Sequence, residues 1–189
     1  MNDYYTCCYN APWRCLYKTD FLRGTGIRFV EGVRWEDCDW TVKVYSKANE
    51  IQFVDGIGYR YAQNDTNTCS QSATPIGYAE QIYAGARLLA FAEEIKSSLP
   101  GLAKTLKDEV DVRYVHQILR FRNFTKYSPT FWIQTFANLT PEAKMLLRTK
   151  DLMKWDRMMI FMPKLSTCVS FVVYPLAALG RRIVKIYRN

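Results

Sequence analysis

Histidine is almost absent from this chain: His116 stands alone among 189 residues. Any Ser–His–Asp or Cys–His catalytic group must be built on that one side chain. Its neighbours Tyr114, Val115, Ile118 and Leu119 predict a structural histidine in a largely apolar setting. The six cysteines, Cys7, Cys8, Cys15, Cys38, Cys69 and Cys168, contain no C-x-x-C pair. Zinc and iron–sulfur centres need paired thiolate spacing or several histidines, so no metal site is predicted. Reduced, partly buried thiols are expected, with a small disulfide or metal cluster of Cys7, Cys8, Cys15 and Cys38 as the alternative. Cys7 and Cys8 have only Arg14 nearby to activate a thiolate.

There is no P-loop. The Gly56-x-Gly58 pair meets Tyr61 where a dinucleotide fingerprint requires a third glycine. The adjacent acids Glu93 and Glu94 point apart on a helix and predict a solvated face. A secretory leader is also not predicted, because Met1–Asp20 carries Asp3 and Asp20 and no apolar run. The N-x-[ST] triplets at Asn64, Asn123 and Asn138 are then chance matches. No catalytic residue, cofactor or small-molecule substrate is predicted.

Aromatic residues and positive charge are plentiful instead. Aromatics make up 15% of the chain, with 13 Tyr and 10 Phe. Tyr and Trp pair an apolar body with one polar atom, which suits protein interfaces and lipid headgroups. The net charge of +8 is unevenly spread. Residues 1–100 hold 10 basic and 12 acidic side chains, whereas residues 101–189 hold 16 basic and 6 acidic. The second half therefore predicts an anionic partner.

Four segments are expected: residues 1–23, 24–73, 74–157 and 158–189. Residues 1–23 read as an extended aromatic arm that contacts a partner through Tyr4, Tyr5, Tyr9, Trp13 and Tyr17. Residues 24–73 read as a small antiparallel β module ending in a polar loop. Ile27, Phe29 and Val33 suggest one strand, and Trp40, Val42 and Val44 alternate with polar residues in a second. Ile51 and Phe53 face Ile57, Tyr59 and Tyr61 across Asp55-Gly56, a two-residue hairpin signal. Residues 74–157 read as helical. Thr74-Pro75, Ser128-Pro129 and Thr140-Pro141 each place a capping residue before a proline in the first helical turn. Leu102 to about Arg122 predicts a further helix, although Val110–Val115 alternates like a strand. The fold class expected is α+β, closed by a C-terminal apolar helix that spans or is embedded in a membrane.

That last segment, 158–189, carries the functional expectation. Leu165–Gly180 is 16 residues without a charge, short of the roughly 20 a span needs. Extension back to Met158 crosses Pro163 and Lys164. Leu165, Val169, Phe171, Val172, Val173, Leu176 and Leu179 are the candidate membrane contacts. Lys164, Arg181, Arg182, Lys185 and Arg188 are placed to meet anionic headgroups or phosphates, as are Arg120 and Arg122. Positive charge flanks the run on both sides, so orientation stays open. Together these features predict a non-catalytic accessory subunit of a large membrane complex, with the mitochondrial inner membrane as the natural setting. Its expected partners are other protein subunits and anionic lipids. Two other readings compete: a nucleic-acid- or ribosome-associated protein using the basic–aromatic run Arg120–Tyr127, and an enzyme whose site forms only in the fold.

Overall fold

The computed structural model describes residues 11–60, 74–116 and 127–149. In chain order the described residues form a 3-10 turn (Pro12–Arg14), α1 (Thr19–Thr25), α2 (Asp37–Lys47), α3 (Pro75–Glu94), α4 (Pro100–Glu109), a π-helical continuation of α4 (Val110–His116), α5 (Pro129–Ala137) and α6 (Pro141–Thr149). No β-strand occurs among the described residues, so the α+β expectation is corrected to a helical fold.

The long helix α3 is the axis of the body. It contacts α2, α4, the π-helical segment, α5 and α6. Its start follows from local chemistry: the Thr74 hydroxyl accepts from the Gly77 N–H at 3.0 Å, and Pro75 occupies the first turn. Ser128 caps α5 in the same way, accepting from Phe131 N–H at 3.3 Å. Thr140 does so for α6, accepting from Ala143 N–H at 3.2 Å. Ile82, Ala84, Leu88, Phe91 and Ala92 of α3 then join Leu106, Val110, Val115, Trp132 and Leu147 in one apolar core. Removal of this apolar area from water is the dominant favourable term.

Two glycines matter to the backbone. Gly26 ends α1 in a left-handed conformation at φ 65°. Gly85 lies where α3 meets Tyr114: a Cβ added there would stand 2.6 Å from the Tyr114 Cβ. Only glycine allows that approach.

The β module fails for identifiable reasons. Trp40, Val42 and Val44 lie in α2, not a strand. Cys38 and Val42, one turn apart, belong to the core. Trp40 and Val44 form a second buried stripe, with Phe29 stacked on Trp40 at 4.4 Å and Tyr17 meeting it edge-on at 5.7 Å. A helix buried on two sides shows apolar residues at every second position, as a strand does. Asp37 and Asp39 in its first turn favour the helix N-terminus. The Ile27–Val33 stretch has no regular structure.

The Asp55-Gly56 hairpin does not close either. A two-residue type I′ turn needs positive φ at both central residues, and only Gly56, at 117°, has it. That register would also set Phe53 opposite Gly58 and Ile51 opposite Arg60, which mismatches the apolar faces. Val110–Val115 is helical as well, in π form, with Val110, Tyr114 and Val115 buried.

No described helix is long and apolar enough to cross a membrane. The C-terminal segment 158–189, and with it the expected apolar helix, lies outside the described residues.

Candidate functional site

The most concentrated polar group is buried where α2 meets α3. Asp39 and Arg87 have side chains only 2% and 9% exposed. Burial of either charge alone is costly, so each must find partners. Arg87 Nε donates to Asp39 Oδ1 at 2.8 Å, and Lys43 Nζ, one turn along α2, donates to Oδ2 at 2.7 Å. Arg87 Nη2 donates to the Trp35 carbonyl at 2.7 Å. The guanidinium also lies over the Tyr83 ring, 4.8 Å from its centroid.

This network holds Trp35 in an unusual state. Trp35 has φ 62°, the one non-glycine residue at positive φ among those described, and remains 36% exposed. The left-handed region is strained for a bulky side chain. Arg87 therefore clamps a strained backbone whose ring faces outward.

Trp35 belongs to a wider apolar surface. Among the described residues, nine of the twelve exposed large apolar side chains fall between Trp13 and Tyr59; Ile76, Val112 and Met145 are the other three. The rings of Trp13 and Tyr59 lie 6.2 Å apart and tie the 3-10 turn to the segment after α2. That segment, residues 49–60, is exposed throughout. Exposed apolar side chains concentrated in one stretch of chain make that stretch a candidate interaction surface.

The remaining candidates are structural in character. Cys38 is buried, and burial pushes its thiol up to about 12, against a hydrogen bond from Tyr114 that lowers it. Such a thiol is inert at neutral pH. Cys15 is half-buried and packs against the core. Tyr78 packs among Tyr127, Phe131 and Trp132, and its hydroxyl donates to that of Tyr127 at 3.2 Å. Burial, with the Tyr127 hydroxyl next, raises its pKa further above the normal tyrosine value. Glu93 meets Lys107 at 2.6 Å and Lys96 at 3.1 Å, and these hydrogen bonds hold its carboxyl below the usual range. Tyr59 and Arg60, directly after Gly58, belong to no helix. Asn138 caps α5, its Nδ2 donating to the Gln134 carbonyl at 2.7 Å. No group of three His, Cys, Asp or Glu arranged to hold a metal occurs among the described residues.

Of the arm residues expected to contact partners, Trp13 is 42% exposed and Tyr17 is half-buried against Trp40. Tyr4, Tyr5 and Tyr9 lie outside the described residues. So do Arg120, Arg122, Lys164, Leu165, Val169, Phe171, Val172, Val173, Leu176, Leu179, Arg181, Arg182, Lys185 and Arg188. Sequence reasoning missed Asp39, Arg87 and Trp35. The i,i+4 spacing of Asp39 and Lys43 is a local signal, but the Arg87 pairing spans 48 positions and has none.

No family model, curated protein or solved structure matches this chain.

Proposed function

We propose that this protein is a non-catalytic accessory subunit of a large membrane complex, in an energy-transducing membrane such as the mitochondrial inner membrane. Its helical body docks on neighbouring subunits through the exposed aromatic surface between Trp13 and Tyr59. Its basic C-terminal part meets anionic lipid. The observation that carries this reading is the concentration, among the described residues, of nine exposed large apolar side chains in that one stretch. A monomer in water gains nothing from such a surface; a subunit buries it against a partner. The +10 balance of residues 101–189, from 16 basic and 6 acidic side chains, complements anionic headgroups.

Mild-detergent extraction followed by native separation tests the subunit assignment. The chain should migrate with a particle far larger than its own 22.1 kDa; migration at its own mass sinks the reading. Alkaline carbonate washing, with and without residues 158–189, tests the membrane contribution. Equal release of the two forms removes the lipid-facing role while leaving the docking role in place.

A further inference from the structure

We infer that residues 50–60 form a docking strand that adds to the open edge of a β-sheet on a partner subunit, with a basic side chain of that edge opposite Asp55. This rests on the accessory-subunit reading and names how the contact is made. Three observations converge. The first is the side-chain order. Odd-numbered positions from 51 to 59 are Ile51, Phe53, Asp55, Ile57 and Tyr59, whereas the even-numbered positions are polar or glycine apart from Val54. That alternation gives one continuous strand an apolar face with a single carboxylate at its centre. The second is the backbone. Among the described residues, no main-chain N–H or C=O between Asn49 and Arg60 makes a hydrogen bond, and no residue of this stretch belongs to a helix, turn or ladder. This exposed stretch offers a row of donors and acceptors of the kind to which a sheet edge pairs. The third is exposure: Phe53, Val54 and Ile57 are 64%, 81% and 90% exposed, while the Trp13–Tyr59 contact anchors one end to the body.

The occupant follows from charge. A second copy paired antiparallel to match Ile51 with Tyr59 and Phe53 with Ile57 sets Asp55 directly against its own copy. Like charges in that position destabilise a strand pair. A lysine or arginine opposite Asp55 turns the same position into an attractive one. On pairing, Gly56 leaves its φ of 117° for an extended conformation, which glycine reaches at little steric cost, so the odd-numbered face stays continuous.

The test compares amide hydrogen exchange of the full-length chain, alone and within its native assembly, at single-residue resolution. Pairing along one edge should slow every second amide between 51 and 59 at least tenfold in the assembly and leave the isolated chain fast. Fast exchange throughout, with the chain still inside the assembly, overturns the docking strand and spares the accessory-subunit reading. Recovery of the chain alone overturns both. Consecutive protected amides indicate a helix and overturn it too. Alternate protection in the isolated chain that rises with concentration points to a second copy and overturns the basic partner. Asp55→Lys should lower retention in the assembly at least tenfold and Asp55→Glu should preserve it. Unchanged retention of Asp55→Lys, with thermal unfolding also unchanged, rejects the charge assignment.

Discussion

Asp39 and Arg87 show how one residue's surroundings set its role. Both charges are tolerable in the interior because each satisfies the other and Arg87 also holds the Trp35 carbonyl. Removing one partner strands the other. Asp39→Ala or Arg87→Ala should cost about 3–5 kcal/mol, measured as a lowered urea midpoint. Replacement of both by leucine should cost less than the sum of the two single changes. Trp35 offers a second measurement. Glycine at its φ of 62° relieves strain that alanine retains. Trp35→Gly should therefore be about 1 kcal/mol more stable than Trp35→Ala, and equal stability would show that the backbone is not strained. Cys38 supplies a pH dependence. Its thiol ionises near 9.0 when unfolded and only at about 12 when folded. Between those values the unfolded state binds fewer protons, so stability should fall as pH rises above 9. Cysteine labelling at neutral pH, followed peptide by peptide, should find Cys38 slow in the folded chain and fast once urea unfolds it.

At the scale of elements, capping and close approach decide most of the architecture. Thr74→Ala removes the acceptor for Gly77 N–H and should cost about 1 kcal/mol. Gly85→Ala has two opposed effects. Alanine is the better helix former by about 1 kcal/mol, but its Cβ meets the Tyr114 Cβ at 2.6 Å. Neither atom is a flexible side-chain end, so the helices must move, at a cost of about 1–3 kcal/mol. The clash should win. Thermal unfolding of Gly85→Ala should fall, and the same change should cost less in a Tyr114→Gly background, where the opposing Cβ is absent, than in the parent chain. A rise in stability for Gly85→Ala would mean that α3 and the π-helical segment sit further apart. Glu93 acts at the surface between α3 and α4; its carboxyl is held low by Lys107 and Lys96, so its small contribution is present at neutral pH and lost as pH falls into the carboxylate range.

For the whole molecule, the body is built around α3, and the apolar surface lies in the N-terminal stretch before it. The stretch from Trp13 to Tyr59 covers only part of itself: Tyr17 and Phe29 cover Trp40 while Trp13, Trp35 and Phe53 face outward. A chain of this length can bury a full core, so exposed rings on this scale support the proposed docking role. The basic tail belongs to the same scale. Substitution of Arg181, Arg182, Lys185 and Arg188 by glutamine should weaken binding to vesicles rich in anionic lipid about fivefold per residue, from roughly 1 kcal/mol each. Binding that does not change with charge or salt removes anionic lipid from the list of partners.

The helical region from Thr74 onward was legible because its signals are local. Thr74-Pro75, Ser128-Pro129 and Thr140-Pro141 each carry the cap and the fixed φ that start a helix, within a few residues of one another. The first half was not legible, because its alternating Trp40, Val42 and Val44 satisfy a strand and a doubly covered helix equally well. Only packing chooses between them. Cys38 and Val42 meet the core while Trp40 meets Phe29, and a helix alone presents both stripes at once. The Asp55-Gly56 signal lacked a register that brings its apolar faces together, so its backbone stayed unpaired. Composition by itself determined the scarcity of histidine, the aromatic surplus and the basic second half. Tertiary structure decided that Asp39 finds Arg87 across 48 positions and that Trp35 is thereby held outward. Buried charges select their partners by proximity in space, and linear spacing carries no record of it.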